Sequence, residues 1–305
     1  MAGPGNRQWL RLTPETAFGT YNASADPEDV LWIRLVRDNA FSMQKVPQRW
    51  RTKSAEGSNR IVQSGANRYA LAGNLITLLY PGQAGPLLAW AATLDGSFDL
   101  TSYTVDHFDS QVATRYLGVK VGTFGLTVDT DSEGGNALLT LGLIGQKADT
   151  SPPTFPKPAM SVFPSVYPYK IQELSGALKL GTNRTAFKSC SFTITNTIAA
   201  NFESQEHVNN VTYCGREIMV EADMQYGNTT DRTAWEQQTA QAVSLTFTKP
   251  TVKTLLIDLY AENRLDNAAR NLPLGDIGRQ SIRLQSQIDA AEGEDMEFSE
   301  TTPTP

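Results

Sequence analysis

Alternation of apolar and polar residues over strand-length runs constrains this chain more than any other feature. Leu126-Thr127-Val128-Asp129 leads into a turn at Ser132-Glu133-Gly134-Gly135-Asn136, and Leu139-Thr140-Leu141-Gly142 leads out of it. A second unit runs through Phe192-Thr193-Ile194-Thr195, a longer connection, and Ile218-Met219-Val220-Glu221. Successive side chains of a strand point to opposite faces, so a period of two marks a strand with one buried face. Gly134-Gly135 supplies the positive φ that a tight hairpin needs. Two hairpins of similar pattern, in a chain with little catalytic equipment, point toward assembly rather than chemistry.

At 305 residues the chain can hold one large β domain or two smaller ones around a sizeable core. Hydrophobic residues make up 40% and charged ones 19%, the balance of a globular protein. The longest apolar runs, near 75–80 and 86–94, are broken by Pro81, Gly82 and Gly85 and are too short for a bilayer, so no membrane partner is implied. The N-terminus lacks the apolar stretch of a signal peptide, so the chain is expected to stay in the cytoplasm where it is made.

Cys190 and Cys214 could face each other across the second hairpin, but a reducing compartment favours free buried thiols. With His107 and His207 they leave no zinc-type spacing. His107 lies between Asp106 and Asp109, the neighbours a general base would use, yet no nucleophile elbow accompanies it. Glycine-rich phosphate loops are missing as well, so the chain implies no cofactor and no enzyme. Trp32, Trp50, Trp90 and Trp235 read as core or interface anchors, and Trp9 as a residue that docks on a neighbour.

Along the chain, residues 30–37, 68–79 and 103–107 read as strands, and 115–145 as the first hairpin unit. Residues 39–65 are polar, basic and aperiodic, which predicts a long extended loop. Leu87, Leu88, Trp90, Ala91 and Leu94 recur at helical spacing within 81–94, and Asp95-Gly96 stops that helix. Residues 151–168 carry six prolines and read as an extended connector. Strands follow at 174–180, 188–195, 216–226, 243–248 and 252–260, with a short helix at 231–240. Residues 282–291 fit either strand or helix, and 296–305 are expected to be disordered. The reading is a mainly β chain, a sandwich or barrel of two related hairpin-containing halves with a short helix in each. The halves span 1–150 and 169–290, and an acidic tail covers 291–305.

Charge is unevenly placed although the net value is −6. Eight basic residues lie from Arg34 to Arg68, among them Lys45, Arg49, Arg51, Lys53 and Arg60, against the two acids Asp38 and Glu56. After Arg283 no basic residue remains and six acids follow. Copies could thus attract each other, basic segment to acidic segment, or these charges could be ordinary solvated surface.

Several segments in order resemble the tail tube proteins of long-tailed bacteriophages. They are Thr13-Pro14-Glu15-Thr16-Ala17-Phe18-Gly19-Thr20, Ala72-Gly73-Asn74-Leu75, Tyr80-Pro81 with the helix near Trp90, and Tyr103-Thr104-Val105-Asp106-His107-Phe108. Ser191-Phe192-Thr193-Ile194-Thr195-Asn196 and Gly215-Arg216-Glu217 complete the set. The resemblance covers about 15–220 and implies a β-sandwich subunit with a flanking helix. Its expected partner is itself, in hexameric rings stacked into a tube, with the tape measure and tail terminator proteins alongside. It would be assembled in the host cytoplasm, end in the virion tail, and let DNA pass without binding it.

On that reading the basic loop lies between rings and orders there. Glu217, Glu221 and Asp223, with Met219 and Gln225 on the same strand face, line the lumen, and Asp129, Asp131 and Glu133 form a weaker second set. An ordinary solvated sheet face is the competing reading. As a function, a receptor- or carbohydrate-binding β-sandwich of a virion is the alternative.

Overall fold

The computed structural model describes residues 8–27, 29–35, 44–45, 50–53, 59–63, 71–108, 113–149, 163–174, 178–201, 208–225, 230–249, 252–271, 279–286 and 296–302. Among these residues the chain is mainly β, and every strand pairing is antiparallel. Two long strands organise it, because each belongs to two sheets.

The first is β8 (Ala113–Asp129). Its early residues pair with β7 (Tyr103–Phe108) on one edge and β10 (Lys147–Ala148) on the other. β7 continues to β1 (Trp9–Pro14) and then to β2 (Leu31–Arg34). Its late residues pair instead with β9 (Leu138–Gly145) and β13 (Phe187–Asn201). The change of partners falls where the register shifts between Val121 and Thr123, just after Gly118 with φ of 64°. A Cβ at Gly118 would come within 2.9 Å of Phe18 and Gln146, so both the turn and the space demand glycine there.

The second long strand is β16 (Lys253–Asn271). It pairs early with β15 (Gln241–Lys249) and β18 (Met296–Thr301), then late with β17 (Arg279–Gln285). Asn263, fully buried, holds this corner by donating to the carbonyls of Gln241, Leu259 and Tyr260. β15 continues to β11 (Leu178–Leu180) and β12 (Thr182–Arg184).

Between the two corners runs the central sheet. Its order is β3 (Gln44–Lys45), β6 (Leu71–Leu78), β9, β8, β13, β14 (Asn210–Gln225), β17, β16. The two hairpin units are therefore neighbours, joined along the β8–β13 pairing. One continuous hydrophobic cluster links this sheet to both side sheets. Helix α1 (Ala84–Ala92) sits inside the cluster with Leu87, Leu88, Trp90 and Ala91 buried, and Trp90 lies 4.8 Å from the Tyr103 ring. An apolar helix of this kind gains its stability from packing rather than from an exposed polar face.

The C-terminal stretch departs from expectation. Residues 296–301 form β18 rather than a disordered tail. Met296, Phe298 and Glu300 alternate toward the core, opposite Leu259, Ile257 and Leu255. Glu300 accepts hydrogen bonds from the N–H groups of Gly82 (2.7 Å) and Gly85 (2.9 Å) and from the Tyr169 hydroxyl (3.2 Å). The first N–H groups of a helix lack internal partners, and α1 has neither an acid in its first turn nor a side-chain bond from its own N-cap residue. A carboxylate more than two hundred residues away caps it instead.

Other differences are local. Residues 171–174 form the short helix α2 (Ile171–Leu174) where a strand was expected from 174, because Lys170 N–H donates to Glu173 (2.9 Å) and Ile171 and Leu174 share a buried face. The second-half helix is α3 (Thr230–Glu236). Of the undecided segment 282–291, residues 282–285 belong to β17, and 287–291 lie outside the described residues. Within the expected basic loop the backbone pairs: β3 adds to β6, and β4 (Trp50–Lys53) pairs with β5 (Asn59–Gln63) as a separate two-stranded sheet. Most of the proline-rich connector, 151–162, lies outside the described residues.

Candidate functional site: the outward face of the central sheet

The opening segment fixes the corner from which this face begins. Glu15 follows β1, and its carboxylate gathers four donors. Oε1 accepts from Thr104 Oγ1 (2.8 Å) and Gly118 N–H (2.9 Å), and Oε2 from Ser102 Oγ (2.8 Å) and Gly19 N–H (2.9 Å). It thus ties β1, β7 and the bend of β8 together. Asn196 acts similarly from β13, donating to the carbonyls of Ala91 (2.8 Å) at the end of α1 and Val121 (3.0 Å) in β8. These roles explain why Glu15, Gly19 and Asn196 stand in segments that read as diagnostic.

Strand alternation then builds the face. Ile218, Val220, Ala222 and Met224 are buried, while Glu217 and Glu221 are exposed and Asp223 half-buried. Opposed residues of an antiparallel pair share a side, so register assembles rows across strands. One row is Asp129, Ser189, Asp223, Ser281; the next is Thr127, Ser191, Glu221, Arg283. A third is Gly125, Thr193, Met219, Gln285, and a fourth Thr123, Thr195, Glu217. On β8 and β13 these rows are Thr, Ser and Gly apart from Asp129, and on β14 and β17 they carry the other acids with Arg283, Gln285, Ser281 and Met219.

Those charges are mixed. Arg279 lies 3.6 Å from Asp223, and Arg283 lies 3.3 Å from Asp266 while opposing Glu221. Gln285 donates to Glu217 (3.1 Å), and Ser281 approaches Glu221 at 3.4 Å. Local sequence showed the acids of β14; the arginines arrive from β17, some sixty residues later, and only the pairing puts them alongside. Asp129 is engaged in its own turn, accepting from the Asp131 N–H (2.8 Å), and Asp131 pairs with Lys188 (2.7 Å), whose ammonium holds the carboxyl below its ordinary range. Glu133 lies in the 3-10 turn beyond, and nothing is assigned to its side chain.

The other expected sites separate. Lys45 stands on β3 opposite Leu71, Arg51 and Lys53 on β4, and Arg60 on β5 opposite Thr52, while Arg49 lies outside the described residues. Asp106, the residue before His107, is paired with Arg115. Its carboxylate is buried and held by Arg115 at 2.7 and 3.1 Å, and burial raises its pKa against that pull. Cys190 is buried in β13, and burial pushes its thiol up to about 12. Cys214 is exposed, which corrects the expectation that both would be buried; both are free. Among the described residues no group of three or more His, Cys, Asp or Glu could hold a metal, and no helix is long and apolar enough to cross a membrane.

The described residues thus form antiparallel sheets around a buried helix, with one broad polar face on the central sheet. Comparison with known families matches residues 5–292 to the phage tail tube protein family. The match spans nearly the whole chain, and the chain belongs to that family: it is a structural protein of the bacteriophage virion tail, a class that is generally non-enzymatic. No curated protein sequence matches it.

Proposed function

We propose that this chain is the major tail tube subunit. Copies close into rings, hexameric as the family resemblance implies, through edge-to-edge pairing of their hairpins. The rings stack, and the outward face of β8, β13, β14 and β17 lines the channel through which the genome leaves the capsid. Assembly takes place in the host cytoplasm, with the tape measure and tail terminator proteins as partners. The basic arm around Lys45, Arg49, Arg51, Lys53 and Arg60 lies between rings and meets acidic surface of a copy in the next ring.

The observation that carries this reading is the asymmetry of the central sheet. One side is continuous core, and the other is a row-ordered surface of Thr, Ser and Gly with acids at Glu217, Glu221 and Asp223. Such a wall suits passage without grip. Its carboxylates repel phosphates, and Arg279 and Arg283 are neutralised by adjacent acids rather than offered to DNA. The near full-length family match favours a tube subunit over a receptor- or carbohydrate-binding module.

The test is Glu217→Lys with Glu221→Lys. Four units of charge change per subunit, and the wall then holds DNA by releasing counterions. Tubes are expected to form normally while genome ejection slows, most at low salt, where screening is weakest. Unchanged ejection from normal tubes would place this face elsewhere, and loss of assembly would place it at a subunit contact.

A further inference from the structure

We infer that Phe98 is a contact by which one copy of this chain grips another; the inference rests on the tube reading and adds a specific contact to it. Phe98 lies in the turn between α1 and β7. It is 80% exposed and has φ of 58°, a left-handed conformation that a bulky residue adopts only where its surroundings impose it.

Those surroundings are dense. Asp95 Oδ1 accepts from the N–H of Ser97 (2.7 Å) and Asp99 (3.1 Å). The Phe98 N–H donates to the Asp95 carbonyl (3.0 Å), and the Asp95 N–H to the Asp99 carbonyl (2.7 Å). Asp99 then bolts the turn to the sheet, accepting from Lys120 Nζ (2.8 Å) on β8 and from the Tyr213 N–H (3.1 Å) on β14. A turn that only connects would carry Gly or Asn at the left-handed position. Here the fold holds a Phe there, on a braced backbone with its ring in water.

Tyr213 belongs to the part of the β13–β14 hairpin that runs past its last pairing with β8, at Thr195 and Thr123. In that part Ala199 and Ala200 are both exposed, while Val211, opposite Ala200, is buried. Phe98 therefore stands exposed beside the start of this arm, on a turn braced against it. A single Phe buries about 150–250 Å², far below the roughly 1,200 Å² of a stable independent interface. It therefore serves as one anchor in a larger contact repeated between copies. The bracing of its turn lowers the entropy cost of each docking.

Phe98→Gly tests this without endangering the fold, because glycine suits the φ. The free subunit is expected to melt at the same or a higher temperature, while the protein concentration needed for half-assembly into tubes rises about tenfold or more, as for an anchor residue. A photo-crosslinking phenylalanine analogue at 98 should yield a dimer adduct on a second copy within assembled tubes. Tubes of Phe98→Gly forming at the wild-type concentration, or wild-type-like tubes with no adduct from 98, overturn the inference and leave the tube reading standing. Wild-type protein that forms no tubes under any condition overturns both.

Discussion

Glu15 shows what a single carboxylate can organise. Its two oxygens serve two hydroxyls and two glycine N–H groups drawn from three parts of the chain. An amide at this position would turn one acceptor into a donor, set the NH2 against a glycine N–H, and force the neighbouring hydroxyl to turn and accept. Glu15→Gln is therefore expected to destabilise the subunit by about 2–4 kcal/mol, measured by urea unfolding. A loss below about 1 kcal/mol would mean the four bonds do not carry the corner. None of this was legible locally. The segment around Glu15 could be singled out, but the residues it binds lie at 19, 102, 104 and 118, and only the fold brings them together. The cysteines make a second check at this scale. Cys214 should react promptly with a thiol reagent at neutral pH, while Cys190, its thiol pushed up to about 12 by burial, should react only on unfolding. Equal rates for the two would contradict the burial of β13.

β18 is one of the elements that sequence reading missed, and the reason is physical. Six residues with acids at Glu297 and Glu300 resemble a solvated tail by composition, and their alternation of Met296, Phe298 and Glu300 gains meaning only against β16 and α1. Glu300→Ala removes the trans cap and is expected to cost about 1–2 kcal/mol, read as lost hydrogen-exchange protection at Gly82 and Gly85. Unchanged protection there would place Glu300 away from the helix. The same strand carries a pH response. Asp258 on β16 opposes Glu297 on β18, and burial first, then that acid, raises the Asp258 pKa, with Lys179 opposing. A raised folded pKa means the folded state binds the proton more tightly. The stability it gives is present at acid pH and fades as pH rises through and past the ordinary carboxylate range. Protection of β18 should thus weaken over that interval, and Asp258→Asn should flatten the dependence. A pH response that survives the substitution would assign it to another group.

At the scale of the whole molecule, alternation was enough to give a mainly β chain, both hairpins and the buried side of β14, because a period of two is written in consecutive residues. It could not show that β8 and β16 each turn from one sheet into another, since a bend depends on which strands lie on either edge. Nor could it place Arg279 and Arg283 beside the acids of β14, so the face is less negative than β14 alone suggests. The central claim is that many copies form a tube with this face inward. Electron cryomicroscopy of the assembled protein tests it directly. The account predicts stacked rings around an open channel, with Glu217, Glu221 and Asp223 on the channel wall. Tubes with these residues on the outer surface, or protein that remains strictly monomeric at every concentration and with tail-initiating partners present, would contradict it.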